Sequence, residues 1–396
     1  MGKTNKISCT PAAVLIAAIL FSVLFARGTG AAATFDYQVL SSVTSNLSAP
    51  TDVALDRVGN VYVAESSANR VQIYNSNGVY LRTLGGLLTP LCVAVDSSDR
   101  IYVCNKQNGT VAVYRPDLSL LHRLGWQDGQ EVGEFVQPND IAIDSLGRVF
   151  VVDEGGDGVK VYNPDGTLNF EFGGTGRDNG HFNRPSGIAI DDASSEVAVV
   201  DHQYTTDSTG GQIEGARIQI FDMNGAFQRG FPKFGNMVGQ LFRPQRLAMD
   251  GEGRIYVTDS FHNVVIVYDK SDGAHLGDVF DLGDPLRSPI GIVMNSSSRL
   301  YVTSLITRKV KVFQILTGGE VVTPGDCNGD GKVDAGDISS LVMEIFDGDG
   351  NLPADAPGGT FPGDPVGSDA NSDGLVDMQD ISCTVHIIFS GPGACN

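Results

Sequence analysis

Cationic residues, histidine and long apolar runs are all in short supply in this chain, and each shortage removes a class of function. There are 27 Lys and Arg against 47 Asp and Glu, a formal charge of −20, with no basic stripe. Such a surface repels phosphate backbones, which excludes nucleic acid as an expected partner. The histidines, His122, His181, His202, His262, His275 and His386, are scattered without the spacing of a metal-ligand set. No GxSxG, HExxH or phosphate-loop pattern occurs, so the chemistries those motifs carry are not expected. Beyond the N-terminus no apolar stretch could span a bilayer. The one strongly apolar run, Ala12–Ala26, has 15 residues, short of the roughly 20 a transmembrane helix needs. Lys3 and Lys6 precede it and the small residues Gly28 to Ala33 follow, the order of a secretory signal peptide over residues 1–33. Cys9 lies before the run and cannot be a lipobox cysteine. The mature protein is expected to be secreted.

What is present is a repeat. Pro244 to Asp269 reads as three short strands, rich in β-branched and aromatic residues and separated by Asp250–Gly253 and Ser260–Asn263 turns. The same unit begins at Pro50, Pro90, Pro138, Pro185 and Pro289, so six copies are spaced 40 to 59 residues apart. That pitch fits four-stranded propeller blades. A fourth strand follows five of the copies. The sixth lacks one, and Phe35–Leu40 is free to supply it, which would close the ring and leave no raw edge in the last blade. The repeated Asp56, Asp96, Asp144, Asp191 and Asp250 are expected to be turn acceptors. The longest insertion, Tyr204 to Gly215, is polar and glycine-rich. It reads either as a recognition loop or as a merely mobile one.

The glycine-spaced approach to the proline, as in Gly173-Gly174-Thr175-Gly176 to Arg184-Pro185, and the D-x-x-G-R turn resemble the NHL family over roughly Phe35 to Leu316. That resemblance implies an all-β six-bladed β-propeller. Peptide-amidating lyase propellers, which NHL repeats resemble, hold zinc with histidines directly after the blade proline. Here those positions are Thr51, Leu91, Asn139, Ser186, Gln245 and Ile290. Lactonase-like propellers place calcium in the central channel. Asp52, Asn139 and Asp140 could face a channel, but Leu91, Cys92, Ser186 and Ile290 do not complete a ligand set. No catalytic residue is assigned, and the propeller reads as a binding platform. The alternative is an extracellular glycoside hydrolase or lyase with its site in the channel.

From residue 324 onward 13 acidic residues face a single Lys332. Asp326, Asn328, Asp330, Asp334 and Asp337, with the carbonyl of Lys332, occupy ligand positions of a twelve-residue calcium loop. Gly331 stands at its sharp turn. Asp369, Asn371, Asp373, Asp377 and Asp380, with the carbonyl of Leu375, repeat that register. Ile338–Phe346 and Ile381–Phe389 follow with helical apolar spacing, so two loop–helix units could pack face to face. This segment resembles a type I dockerin, a small α-helical calcium-binding domain that docks onto cohesin domains, often in polysaccharide-degrading complexes. The resemblance implies two bound Ca2+ ions and a cohesin-type partner. It places the partner contacts at Ala335, Gly336, Val342 and Met343 and at Met378, Gln379, Val385 and His386.

The expected order is a signal peptide (1–33), propeller (34–317), linker (318–325) and dockerin-like domain (326–396). In an oxidising compartment Cys92 and Cys104, symmetric about the turn at Ser98, could form a disulfide or remain as two buried thiols. Cys327, Cys383 and Cys395 leave one thiol over, with Cys327–Cys395 a possible clasp of the module's ends.

Overall fold

In the computed structural model, residues 35–316 are described apart from 41, 44–46, 125, 128–129, 132–134, 203–204, 207–211 and 214. The leader, both predicted calcium loops, the partner-contact positions after them, and Cys327, Cys383 and Cys395 lie outside the described residues.

Six antiparallel four-stranded sheets follow one another along the described chain. Their inner strands are Pro50–Leu55, Pro90–Val95, Pro138–Ile143, Pro185–Asp191, Pro244–Met249 and Pro289–Met294. Each inner strand packs beside the next, and the sixth packs beside the first, which closes the ring. Proline suits the first position of these strands because no ladder donor is needed there. Five blades take all four strands from consecutive sequence. The sixth is completed by Asp36–Val39, paired antiparallel with Lys309–Leu316 in the register Tyr37↔Ile315. The first and last strands among the described residues are thereby held in one sheet.

The core lies between the blades. Six buried apolar clusters each mix side chains of two consecutive blades, and one joins the sixth blade to the first through Val310, Val312 and Tyr301 against Val53, Val63 and Tyr74. Each fully buried aliphatic or aromatic side chain contributes about 1.5–3 kcal/mol, so every blade depends on both neighbours.

The turn between first and second strands is built on one carboxylate. Asp250 Oδ1 accepts from Glu252 N (2.9 Å) and Arg254 N (3.0 Å), while Oδ2 accepts from Arg254 Nε (2.6 Å) and Tyr256 Oη (2.7 Å). Asp56, Asp96 and Asp144 make the same backbone bonds. These aspartates are turn acceptors, as expected.

A second repeated device was not anticipated. The last residue of each second strand turns back to bond the loop entering its own blade. Ser48 N donates to Glu65, Leu88 N to Asn105 Oδ1 (2.9 Å), and Gln137 N to Asp153 Oδ1 (2.7 Å). Asn183 N donates to Asp201 Oδ2 (3.2 Å), Phe242 N to Asp259 Oδ2 (2.7 Å), and Arg287 N to Ser304 Oγ (2.8 Å).

Cys92 and Cys104 are opposed on the first two strands of blade two and joined by a disulfide, with Cα atoms 5.1 Å apart. The insertion after Asp201, read as a recognition loop or a mobile one, contains a short hairpin in which Thr205 pairs with Ile213 and Thr206 with Gln212. Another pairs Trp126–Gln127 with Gln130–Glu131. No helix among the described residues is long and apolar enough to cross a membrane.

Candidate functional site at the channel mouth

In a meander the turns alternate between the two ends of the sheet. The loops that enter each blade and the turns between second and third strands therefore share one face, and both extra hairpins lie on it. At the centre of this face opens a cavity of about 470 Å³. Its lining falls into three registers of the repeat. Gln137, Arg184 and Arg243 precede the blade prolines, and Thr51, Leu91, Asn139, Ser186, Gln245 and Ile290 follow them. Lys106, Glu154 and His202 follow the last residue of a second strand. Arg246 forms part of the floor.

Several of the residues after the prolines join blades. Thr51 Oγ1 donates to Pro90 O (3.2 Å), Asn139 Nδ2 to Ser186 O (3.0 Å), and Thr258 Oγ1 to Ile290 O (2.7 Å). One position deeper stand Asp52, Cys92, Asp140, Gly187, Arg246 and Gly291. Arg246 is 3% exposed and spans the channel. Its Nη1 is ion-paired with Asp140 Oδ1, its Nε lies 3.5 Å from Asp52 Oδ1, and its Nη2 donates to Leu91 O at 2.8 Å. The carboxylates are themselves interblade ties: Val93 N donates to Asp52 Oδ2 (2.8 Å) and Ile188 N to Asp140 Oδ2 (2.9 Å). The two glycines provide the room. A Cβ on Gly187 would stand 2.6 Å from Arg246 Cα, and one on Gly291 2.4 Å from Asp52 Cα.

Two carboxylates share one guanidinium in this dry floor. Burial pushes Asp52 up to about 7 against the pull of Arg246, with the Asp140 charge pushing the same way. Burial likewise raises Asp140. A perturbed carboxyl in a channel is a frequent mark of an active site. Here both groups lie beneath the mouth with their oxygens turned to protein donors, so the shift marks a buried ion-pair cluster. A guanidinium also stands where a channel metal would need those carboxylates. Asp52 and Asp140 thus do face the channel, as expected, but as partners of Arg246, whose role was not foreseen. An arginine inside an inner strand was the available signal.

His202 is 8% exposed and lines the mouth. Burial, reinforced by the Arg184 charge, depresses it to about 4, so it is neutral at pH 7. Arg184 donates through Nε (3.0 Å) and Nη2 (2.6 Å) to Glu154 Oε1. Lys106 and Arg243 are exposed, and neither forms an ion pair among the described residues.

Among solved structures the chain is similar to a gluconolactonase of Xanthomonas campestris, at 15% identity over 73% of this chain and 99% of that one, with a TM-score of 0.53. The likeness is one of fold. Virginiamycin B lyase of Staphylococcus aureus aligns at 12% identity over 71% of this chain and 100% of that one (TM-score 0.49). A chain of a nidogen/laminin complex aligns at 20% identity over 61% and 83% (TM-score 0.47). No family model matches the sequence. No curated protein matches it either.

Proposed function

We propose that this is a secreted, non-catalytic binding protein. Its propeller presents the channel-mouth face to a ligand, and its C-terminal segment, loaded with two calcium ions, docks onto a cohesin-type domain of a scaffold or cell surface. The observation that supports a binding rather than a catalytic propeller is Arg246. It engages both channel carboxylates, so among the described residues neither a carboxylate pair nor a set of anionic metal ligands is left facing the cavity. The mouth above is polar and built from groups suited to recognition.

The docking half of the proposal rests on residues 326–337 and 369–380. Four carboxylates in each loop repel one another unless a divalent cation is bound, and the oxygen-only donor set suits calcium. Asp326, Asn328, Asp330, Asp334 and Asp337 would hold one ion, and Asp369, Asn371, Asp373, Asp377 and Asp380 the other. The test is capture of the full chain on immobilised cohesin-type domains in calcium and in EDTA. Retention in calcium, loss in EDTA and loss in an Asp330→Ala/Asp373→Ala variant are expected. Capture that ignores calcium would sink the docking half.

A further inference from the structure

The channel-mouth face gathers cations against the charge of the propeller around it. Residues 33–323 carry 34 acidic and 23 basic side chains. Among the described residues that line the mouth the count is reversed: Lys106, Arg184 and Arg243 stand with one carboxylate, Glu154, which Arg184 occupies. Just under the rim Glu65 is paired with Arg70, Asp153 with Lys160 and Asp201 with Arg217, while Asp259 accepts from backbone N–H groups. Lys106 and Arg243 are left as exposed cations available to a ligand. Between the cations lie amides and a hydroxyl, Gln137, Asn139, Gln245 and Ser186.

A row of aromatic rings joins this mouth. Gln245 Nε2 donates to Ser260 Oγ (3.2 Å), and Ser260 N donates to Arg243 O (3.0 Å), which ties the mouth to the neighbouring Phe261. The Phe261 and Phe242 ring centroids are 4.2 Å apart, and Phe242 stacks on Phe234 at 5.5 Å. Phe261 is 47% exposed and Phe234 38%, with Met237 exposed beside them at 69%. None of the three rings belongs to an interblade cluster. A contiguous apolar strip of this kind marks a contact surface.

The ligand that fits must offer flat apolar faces, hydroxyls and dispersed negative charge together. Resting on the reading of this face as a binding surface, we propose that it takes an acidic polysaccharide. Sugar rings stack along Phe234, Phe242 and Phe261, their hydroxyls meet the amides, and ring carboxylates pair with Arg243 and Lys106. A polynucleotide could also stack on the rings, and a single-stranded DNA separates the two ligands in the test.

The experiment is calorimetric titration of the full chain, in EDTA, with oligomers of galacturonate, alginate and hyaluronan. The controls are a fully methyl-esterified galacturonate oligomer and a single-stranded DNA of matched charge. Working in EDTA separates this result from calcium-dependent docking, so either can fail alone. At least one acidic oligomer is expected to bind, more weakly as salt rises from about 50 to about 500 mM. Arg243→Ala and Lys106→Ala should each weaken binding about two- to fivefold, as for an exposed ion pair. Phe261→Ala should weaken it about three- to tenfold. Arg57→Ala, in a turn on the opposite face, should leave it unchanged. These side chains are exposed, so thermal melts should match the parent. Four outcomes would overturn the proposal: no binding by any acidic oligomer, equal binding of the esterified control, indifference to Arg243→Ala and Lys106→Ala, or tighter binding of DNA.

Discussion

Replacing Arg246 with methionine removes the one cation from a buried floor that holds Asp52 and Asp140. Breaking a buried ion pair by deleting one partner costs about 3–5 kcal/mol, because the charge left behind has neither water nor a counter-ion. For a domain of this size that lowers the melting temperature by about 6–15 °C. The penalty should depend on pH in a defined direction. Asp52 already binds its proton more tightly in the folded protein, up to about 7 against an ordinary 3.8. Its contribution is therefore fully present below about pH 4 and is lost as pH rises through 7. The most this can amount to is about 4 kcal/mol. Without Arg246 both carboxyls move further up, so the variant should be hurt most at pH 8 and recover toward the parent near pH 5. Adding Asp140→Asn should restore part of the loss at pH 8 and little at pH 5. Urea melts of the parent, Arg246→Met and Arg246→Met/Asp140→Asn, followed by far-ultraviolet circular dichroism at both pH values, provide the comparison. A deficit below about 1 kcal/mol at pH 8, or one that does not shrink at pH 5, would refute the reading of the floor as a buried charge cluster.

Tyr37→Ala should cost about 2 kcal/mol. Tyr37 packs against Phe313 and Phe280 with centroids 5.9 and 6.3 Å away, and deletion of residues 35–40 should expose the edge at Lys309–Leu316 and yield aggregates by size-exclusion chromatography. Cys92→Ser with Cys104→Ser should lower stability by about 2–3 kcal/mol in chemical denaturation, as for a short closed loop. Asp250→Ala, which strips four donors of their acceptor, should cost about 2–3 kcal/mol and lower the melting temperature accordingly. Calcium should bind the full chain with a stoichiometry of two by calorimetry, and at about 100 times Kd each site adds about 2.7 kcal/mol.

The blades were legible because their information is local. Period-two strands, a glycine or aspartate turn and a proline at each entry recur in register, so six copies reinforce one reading. The displaced strand was legible by subtraction, since the sixth repeat stops short and Phe35–Leu40 has no other partner; Asp36–Val39 now completes that sheet. The channel floor was not legible in the same way. Arg246 meets Asp140 across 106 positions of chain, and nothing near either residue specifies the other. The capping residues Glu65, Asn105, Asp153, Asp201, Asp259 and Ser304 could have been found. Each is a side-chain acceptor ending a second strand, the same register in all six repeats.

Register explains where recognition can and cannot vary in this ring. Among positions one and two after the prolines, Thr51, Asp52, Asn139 and Asp140 and the Arg246 bridge hold neighbouring blades together. A change there weakens closure before it alters a ligand. The loops before the proline and after the second strand are held mainly through backbone donors by the buried caps, and of the mouth side chains Arg184 and Glu154 form a tie between blades. These are the places that carry Gln137, Arg184 and Arg243, and Lys106, Glu154 and His202. Exchanging Arg243 with the serine found at the equivalent place before Pro289 should therefore leave the melting transition within about 0.5 kcal/mol. Its effect should fall on ligand affinity alone. Exchanging Asp140 with the cysteine found at the equivalent place in blade two should do the reverse and destabilise the ring. If both exchanges moved stability equally, the separation of closure from recognition by register would be wrong.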